Sequence, residues 1–283
     1  MTAVRGSAAA LTGAASGIGS ALAIELAARG CDLALADRDE AGLLAIAAEV
    51  ARMGARRVTT HHIDVADPGQ IQDFAKAALS SHPGLNILIN NAGVALIGNF
   101  DEIDQAQMDW LMDINFWGIV HATRAFLPHL AQQPEAHIVN LSSVFGIIAP
   151  PGQTAYAAAK FAVRGFSESL RHELDATGSS IHVSLAYPGG VATNIARNAR
   201  PGAGITDPAR RSEALERFDN AARTTAPAAA RCIVDGIEHN KTRILIGSDT
   251  KFVDVLQRFL PGTYWRALAN IFNKRTRPGV KHS

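Results

Sequence analysis

The chain has little of what marks a secreted, nucleic-acid-binding or membrane-spanning protein. Its 283 residues include two cysteines, and 27 basic residues almost balance 26 acidic ones. Two cysteines are too few for a disulfide framework, and a net charge of +1 gives no field for nucleic acid. No apolar run approaches the ~20 residues that span a membrane, and no signal-peptide segment is present at the N-terminus. These absences predict a cytoplasmic protein in which Cys31 and Cys232 are buried thiols.

A recognisable metal-binding pattern is also missing. The ten histidines include no His-Glu-x-x-His motif and no pairing with cysteines. His61 and His62 are adjacent on a predicted strand, so their side chains are expected on opposite faces of the sheet. We therefore expect no metal site.

The apolar pattern predicts the fold. Hydrophobic residues make up 47% of the chain, and short apolar segments alternate with helical ones. The predicted strands are 8–11, 33–36, 58–63, 87–89, 138–141, 183–186 and 244–246. This alternation is typical of a doubly wound α/β fold, a mostly parallel seven-stranded sheet with helices on both faces. No repeat or linker divides the chain, so we predict one Rossmann-like domain over 1–250 and a helical C-terminal extension over 251–283.

A glycine-rich turn follows the first predicted strand. It reads Gly13-Ala-Ala-Ser16-Gly17-Ile18-Gly19, and a helix is predicted from 17 to 29. Glycines allow close approach of a pyrophosphate, and the helix N-terminus offers free N–H groups and a positive dipole end. The second strand ends at Asp37, eighteen residues after Gly19, where a carboxylate can meet ribose hydroxyls. The alternative interpretation is that Asp37 caps the next helix.

A tyrosine and a lysine one helical turn apart suggest proton-transfer chemistry. Tyr156 and Lys160 lie in a helix predicted over 153–176, so both side chains share one face. Lowering a tyrosine pKa from ~10 to ~7 requires about 4 kcal/mol, which an ammonium about 4 Å away can supply at an effective dielectric near 20. Ser143 follows a predicted strand. Its hydroxyl would donate a hydrogen bond to the substrate oxygen that exchanges a proton with Tyr156.

Several motifs in register resemble the short-chain dehydrogenase/reductase family. The resemblance covers residues 7–247 approximately, most of the chain. Its motifs are Thr12-Gly-x-x-x-Gly-Ile-Gly19, Asp64-Val65, Asn90-Asn91-Ala92-Gly93, Asn115, Ser143, Tyr156-x-x-x-Lys160 and Pro188-Gly-Gly-Val-Ala-Thr193.

The resemblance implies roles for the catalytic candidates. Tyr156 is expected to be the general acid/base, Ser143 the group that polarises the carbonyl, and Lys160 the group that lowers the tyrosine pKa and holds the nicotinamide ribose. Asn115, in a helix predicted over 104–130, would help to position a water and the lysine for proton relay; the alternative is a buried amide that satisfies local backbone. Phe145 would line the substrate pocket with Ser143 and Tyr156.

The resemblance also implies a cofactor site. Asp64, with Val65 beside it, resembles the acid that receives the adenine amino group. Val191 and Thr193 resemble the pair that fixes the nicotinamide carboxamide, after the turn at Pro188 and Gly189. The expected wall behind the adenosine ribose is formed by Asn90, Ala92 and Gly93.

Charge at the second strand favours NAD over NADP. Asp37 would accept hydrogen bonds from ribose hydroxyls and repel an added phosphate. Ser16 agrees, because relatives that prefer NADP often carry a basic residue there. Arg38 could instead pair with that phosphate, so NADP stays open as the alternative.

Two segments depart from the motifs. Residues 194–227 resemble the family's substrate lid, and their arginines either recognise an anionic group or lie on a solvated helix face; they are Arg197, Arg200, Arg210, Arg211, Arg217 and Arg223. The extension carries apolar residues at helical spacing from Phe252 to Leu260, then a second apolar segment and the basic end Lys274-Arg-Thr-Arg277. We favour packing on its own core or on another subunit over contact with an anionic membrane.

The leading hypothesis is an oxidoreductase that transfers a hydride between NAD and a small-molecule secondary alcohol or ketone. The alternatives are an NADPH-dependent reductase of a bulky hydrophobic ketone, a non-catalytic nucleotide-binding protein and a peripheral membrane protein. From the resemblance, a homodimer or homotetramer is expected.

Overall fold

The core of the protein is a parallel sheet of seven strands. The computed structural model describes residues 1–207, 209 and 222–269. The sheet consists of β1 (Ala8–Thr12), β2 (Asp32–Asp37), β3 (Val58–His62), β4 (Leu85–Asn90), β6 (Ala136–Leu141), β7 (Ile181–Pro188) and β11 (Arg243–Ile246). Its order is β11-β7-β6-β4-β1-β2-β3, and every pairing is parallel. The predicted doubly wound fold is confirmed. Six strands extend one to four residues beyond the apolar segments that indicated them, whereas β3 ends one residue earlier.

Helices cover both faces of the sheet. They are α1 (Gly17–Ala28), α2 (Glu40–Ala51), α3 (Pro68–Ser81), α4 (Gln105–Met112), α5 (Gly118–Leu130), α6 (Thr154–Ala176), α7 (Ala226–Glu238) and α8 (Ser248–Phe259). Two-residue strands form small side pairs, β5 (Leu96–Ile97) with β9 (Arg200–Pro201) and β8 (Val191–Ala192) with β10 (Thr224–Thr225). One apolar cluster packs against α1, α2 and α7, and another packs against α3 and α5.

The strand order places a ligand crevice at the middle of the sheet. The chain moves outward from β1 to β3 and then returns to β4, which pairs with β1 on its other side. Open α/β sheets bind ligands at such a reversal, outside the carboxyl ends of the strands. The residues after β1 and β4 are the glycine-rich turn and the Asn90–Gly93 motif, so both border this crevice.

The continuous helix predicted over 104–130 is wrong in one respect. The five residues Asp113–Trp117 form a π-helical turn between α4 and α5. A π turn takes one additional residue into the helix, and such turns are frequent at functional sites. Asn115 lies in the middle of this turn and is fully buried. Apolar spacing alone does not reveal the interruption, because the segment is apolar on both sides of it.

The C-terminal extension divides into an inner and an outer set of side chains. Val253 and Leu268 are buried in an apolar cluster with Tyr187, and Tyr264 and Trp265 pack against the same cluster. The outer set stays exposed on α8 and at its end, namely Phe252, Val255, Phe259 and Leu260. Ile271 and Phe272, in the second apolar segment, and the basic end 274–277 lie outside the described residues. No helix within the described ranges is long and apolar enough to cross a membrane.

Candidate active site

Two adjacent serines at the end of β6 point to different partners. The Ser142 hydroxyl donates to the backbone carbonyl of Lys160 at 2.9 Å, which ties β6 to α6. The Ser143 hydroxyl accepts from the Phe145 amide at 3.2 Å and is hydrogen-bonded to the phenol of Tyr156. Neighbours on a strand alternate between faces, which is why only one serine can reach the tyrosine.

Tyr156 lies in the first turn of α6, partly buried, with its ring packed edge-on against Phe145 at 6.1 Å between centroids. Burial raises the pKa of Tyr156 to about 12, and the hydrogen bond with Ser143 opposes that shift. Lys160 is not a cause of this shift, so the expectation that it lowers the tyrosine pKa stays a prediction. The ammonium nitrogen lies 5.6 Å from the ring centroid, and loss of hydration is the dominant cause.

Lys160 is a buried amine with one backbone acceptor. Its side chain is 4% exposed, and Nζ donates to the carbonyl oxygen of Leu141 at 3.1 Å. Burial lowers its pKa to about 8, because the charged form loses hydration that a single carbonyl does not replace. Lys160 therefore remains mostly protonated at pH 7, close to the point at which it can release a proton.

Asn115 is held in place by the chain segment after β4. Its side-chain oxygen accepts from the Val94 amide at 2.8 Å, and its side-chain nitrogen donates to the Val94 carbonyl at 2.9 Å. A methyl group placed on Gly93 would lie 3.3 Å from the Asn115 side-chain oxygen and 3.6 Å from Lys160 Nζ. Gly93 thus leaves the space between the two polar groups open. Asn115 does satisfy local backbone, as the alternative interpretation expected, and it also faces the lysine.

The N-terminus of α1 is free to bind an anion. Ser16 precedes the helix and makes no side-chain capping bond, whereas α2, α3 and α4 are capped by Asp39, Asp67 and Asp104. Uncapped first-turn amides and the positive end of the helix dipole suit a pyrophosphate. Gly17 adopts a φ of +59° that favours glycine, and a methyl group there would lie 3.4 Å from Thr193. The residues present therefore fit a dinucleotide at this place, with Ile18 and Gly19 in the same turn.

Asn91 and Thr12 hold the glycine-rich turn, and sequence reasoning assigned neither of them a role. The Asn91 side-chain nitrogen donates to the carbonyls of Thr12 and Gly13 at 3.0 and 2.9 Å. In return, the Thr12 hydroxyl accepts from the Asn91 and Ala92 amides. A methyl group on Gly13 would meet the Ala92 backbone at 2.7 Å, so the ends of β1 and β4 are in direct contact. The motif Asn90-Asn91-Ala92-Gly93 was the sequence signal that could have indicated this role for Asn91.

Asp37 lies at the carboxyl end of β2 beside this turn. Its carboxylate accepts from the Ala15 amide at 2.8 Å and from the Asp39 amide at 3.0 Å. The cap of α2 is Asp39, which accepts from Gly42, so the alternative interpretation of Asp37 as that cap is wrong. Arg38 is exposed, and its carbonyl accepts from His62.

The remaining adenosine candidates fall into two groups. Asp64 is exposed after β3, and its carboxylate accepts from the Ala66 amide at 2.9 Å, while Val65 is buried against Gly118. Asn90 is 1% exposed, and its side chain donates to Thr123 and Asn140 inside the sheet. The structure therefore gives the Asn90 side chain internal hydrogen bonds, whereas Ala92 and Gly93 border the crevice.

The loop after β7 is fixed by the first turn of α8. The amide of Gly190 donates to the Asp249 carboxylate at 2.9 Å. A methyl group on Gly189 would overlap the side chains of Asp249 and Thr250, so a larger residue after Pro188 would displace them. Val191 is buried directly beyond this turn, and Thr193 reaches Gly17. Sequence reasoning missed Asp249, because it lies 59 residues away and carries no local signal.

The substrate side of the site is apolar. Val144, Phe145, Ile147 and Ile148 share one cluster with the inner residues of the extension. The Ala149 amide donates to the phenol oxygen of Tyr264 at 3.0 Å. The C-terminal extension therefore packs on the loop that follows Ser143.

The predicted lid is described only in part. The guanidinium of Arg200 lies 3.8 Å from the Trp110 ring centroid, a cation–π contact, and Arg223 is exposed. Arg210, Arg211 and Arg217 lie outside the described residues. Among the residues with described positions, no cluster of three histidine, cysteine or acidic side chains could hold a metal ion.

The fold and the site define an NAD(P)-dependent oxidoreductase of the Rossmann type. A profile of the short chain dehydrogenase family matches residues 7–204. The chain is 39% identical over 270 residues to SadH of Mycobacterium tuberculosis, named as a provisional oxidoreductase, with 95% of this chain and 96% of that protein covered. It is 32% identical over 266 residues to the mouse dehydrogenase/reductase SDR family member 7B, covering 92% and 79% of the two chains.

A solved structure agrees over the whole length. A short chain dehydrogenase/reductase from Burkholderia phymatum in complex with NAD superimposes with a TM-score of 0.84 at 31% identity, covering 100% of both chains. The chain belongs to the short-chain dehydrogenase/reductase family. It is an enzyme that acts on small-molecule substrates with a nicotinamide cofactor.

Proposed function

We propose that the protein transfers a hydride between NAD and a secondary alcohol or ketone, with Tyr156 as the general acid/base. The observation that carries this proposal is the hydrogen bond between Ser143 and Tyr156, with Lys160 one helical turn away and the crevice of the sheet beside them. A nicotinamide bound there supplies the two-electron donor or acceptor.

Ser143 and Tyr156 have different roles, the first in orienting the substrate oxygen and the second in proton transfer. Ser143 holds the substrate oxygen beside Tyr156, and the phenol gives its proton to that oxygen as the carbonyl is reduced. Because burial raises the pKa of Tyr156 to about 12, the phenol keeps its proton at neutral pH. This is the protonation state that reduction requires. In the oxidative direction the phenolate must form first, so oxidation should become faster as the pH rises.

Lys160 and Asn115 support this proton transfer. The Lys160 ammonium can hold ribose hydroxyls and favours the phenolate once Tyr156 has given up its proton. Its own pKa of about 8 allows it to pass a proton towards the tyrosine. Asn115 faces the same open space at Gly93, where a water can join the relay.

The preference for NAD rests on Asp37. Its carboxylate lies at the end of β2, held by the Ala15 and Asp39 amides, where the adenosine ribose would be bound beside α1. A phosphate on that ribose would meet a fixed negative charge. Asp64, Ala92 and Gly93 would enclose the adenosine, while Val191 and Thr193 would hold the carboxamide.

A second candidate is an NADPH-dependent reductase of a bulky apolar ketone. It is favoured by the apolar loop of Val144, Phe145, Ile147 and Ile148 and by the protonated state of Tyr156. The exposed guanidinium of Arg38 could pair with the additional phosphate.

Binding and turnover can be tested separately. Titration of NADH and NADPH, followed by nucleotide fluorescence, should give tighter binding of NADH, and Asp37→Ala should raise the affinity for NADPH. Tighter NADPH binding by the unmodified protein would overturn the assignment of Asp37. A panel of secondary alcohols and ketones should show turnover that Tyr156→Phe lowers by about 10²- to 10⁴-fold. Unchanged turnover in that variant would overturn the mechanism.

We also expect a homodimer or homotetramer. Trp117 and Phe161, on neighbouring elements, are 45% and 38% exposed. An open apolar groove of about 640 Å³ lies beside Phe161, lined also by Pro150, Pro151, Ala157, Ala158 and Trp265. Light scattering should give a mass above that of one chain, and Phe161→Ser should lower it.

A further inference from the structure

The outer face of α8 consists of Phe252, Val255 and Phe259, which are 52%, 53% and 81% exposed. Leu260, the residue after the helix, is 39% exposed. These residues recur at three- and four-residue spacing, so they form one stripe along the helix. Because the opposite side of α8 is already buried through Val253, the stripe takes no part in the core. Contiguous exposed apolar side chains of this kind indicate an interaction surface.

Charge in the same part of the chain is strongly one-sided. Residues 251–283 contain seven basic residues and one acidic residue, namely Lys251, Arg258, Arg266, Lys274, Arg275, Arg277 and Lys281 against Asp254. The whole chain has 27 basic and 26 acidic residues, so residues 1–250 hold 20 and 25. The last 33 residues therefore carry a formal charge of +6, and the rest of the chain carries −5.

The basic and apolar side chains share one surface of α8. Lys251, Val255 and Arg258 follow one another at spacings of four and three, so they lie in one row beside the apolar stripe. Lys251 and Arg258 are exposed. The one acidic residue of the segment, Asp254, is 6% exposed and paired with Arg243 and Arg258 at 2.6 and 3.1 Å. Arg243 compensates this charge from inside the protein, and Arg258 is the member of the basic row that also pairs with it.

We propose that the outer face of α8 docks on an anionic lipid surface. Phenylalanine and valine side chains can enter the boundary between headgroups and acyl chains, while lysine and arginine beside them bind the anionic headgroups. A second copy of this chain fits the face less well, because it would bring the basic rows of two α8 helices together. Docking needs no unfolding, since Leu268 and Val253 keep the inner side on the core.

Vesicle flotation of the full-length protein tests this proposal without any substrate. Vesicles of phosphatidylcholine alone are compared with vesicles of equal parts phosphatidylcholine and phosphatidylserine, at low salt and at about 0.15 M salt. Binding is expected only to the anionic vesicles, and it should weaken at the higher salt. Lys251→Gln should lower the partition coefficient roughly fivefold. Phe259→Ser should lower it about tenfold or more.

Matched control variants distinguish binding through this face from nonspecific binding to vesicles. Leu44 on α2 is 56% exposed, so Leu44→Ser removes an exposed apolar side chain elsewhere and should leave binding unchanged. Arg52→Gln should also have no effect, because Arg52 is an exposed basic residue just after α2. Circular dichroism establishes that each variant is folded.

Three results would overturn the proposal. The first is no binding, or equal binding to both kinds of vesicle. The second is a Phe259→Ser variant that binds as tightly as the unmodified protein. The third is a Phe259→Ser variant that elutes as a smaller species in size-exclusion chromatography while its vesicle binding is unchanged, which would assign the face to a second copy of the chain.

Discussion

The phenol oxygen of Tyr264 accepts a hydrogen bond from the backbone amide of Ala149 at 3.0 Å, across 115 residues of sequence. Ala149 lies in the loop that follows Ser143, and Tyr264 begins the last described helical turn. Trp265 and Leu268 pack in the same cluster as this loop. The extension therefore helps to hold the loop that would form the wall of the proposed substrate pocket.

Tyr264→Phe should loosen this loop while it keeps the packing of the ring. We expect faster amide hydrogen exchange over 144–150 and a loss of about 1 kcal/mol in the free energy of unfolding. The KM for a bulky ketone should rise several-fold with a smaller change in kcat, because the loop would shape the pocket while the proposed proton transfer belongs to Tyr156. Phe252→Leu, on the outer face of α8, is the control and should change neither exchange nor KM. Unchanged exchange at Ala149 in the Tyr264 variant would contradict this role.

Lys160→Met should make the protein more stable at pH 7 although it removes a proposed catalytic group. Burial lowers the Lys160 pKa from 10.5 to about 8, so the folded chain bears the cost of a buried charge below pH 8, about 3 kcal/mol. The variant also loses the hydrogen bond to Leu141, which offsets about 1 kcal/mol of the gain in stability. The net gain should be roughly 2 kcal/mol.

The pH dependence distinguishes this origin from better packing. Between pH 8 and 10.5 the unfolded chain keeps a proton that folded Lys160 has released, so the stability of the unmodified protein rises with pH over this window. Denaturant unfolding from pH 7 to pH 10 should therefore show the advantage of Lys160→Met shrinking. A gain that is constant over this range would argue against a buried charge.

Acid should destabilise the protein through His137. This ring is fully buried between Thr2 and Ser184, and burial, followed by the charge of His182, lowers its pKa to about 3. Below pH 6.5 the histidine binds a proton in the unfolded chain but not in the folded chain. The free energy of unfolding therefore decreases as the pH is lowered. From pH 7 to pH 5 the loss should be about 2 kcal/mol.

His137→Gln tests this source of acid sensitivity. The glutamine amide cannot titrate, so urea unfolding of this variant should depend less on pH between 7 and 5. Glu135 and the N-terminal ammonium, which lie nearby, remain unchanged in it. His172→Gln, at an exposed position, should retain the full pH dependence.

Two glycines should respond to alanine in opposite ways. A methyl group on Gly19 would overlap the Gly13 carbonyl and lie 2.6 Å from the Asn91 side-chain nitrogen, so Gly19→Ala should weaken nicotinamide nucleotide binding tenfold or more, as measured by fluorescence titration. Gly165 lies inside α6 with nothing within 4 Å of such a methyl group. Gly165→Ala should raise the unfolding free energy by about 0.5–1 kcal/mol and leave nucleotide affinity unchanged.

Local patterns predicted the sheet and the candidate residues, because strands and motifs depend on residues that are adjacent in the sequence. Strand alternation accounts for the different partners of Ser142 and Ser143. The Tyr156 pKa could not be predicted from spacing to Lys160, since it depends on burial by the whole fold. The contacts of Asp249 and Tyr264 were also out of reach, because each joins segments that are distant in sequence.

The π turn at Asp113–Trp117 makes chain length critical at this place. Each residue of a helix advances the direction of the next side chain by about 100°. Deleting one residue from the turn would produce a regular helix. It would also change the direction of the Asn115 side chain relative to the buried side of α5 by about 100°. Ile119, Ala122 and Phe126 could then remain in the core only if the asparagine left Val94. Substitutions can be absorbed in this helix, whereas a change in the number of its residues would separate the packing of α5 from the position of Asn115 in the proposed proton relay.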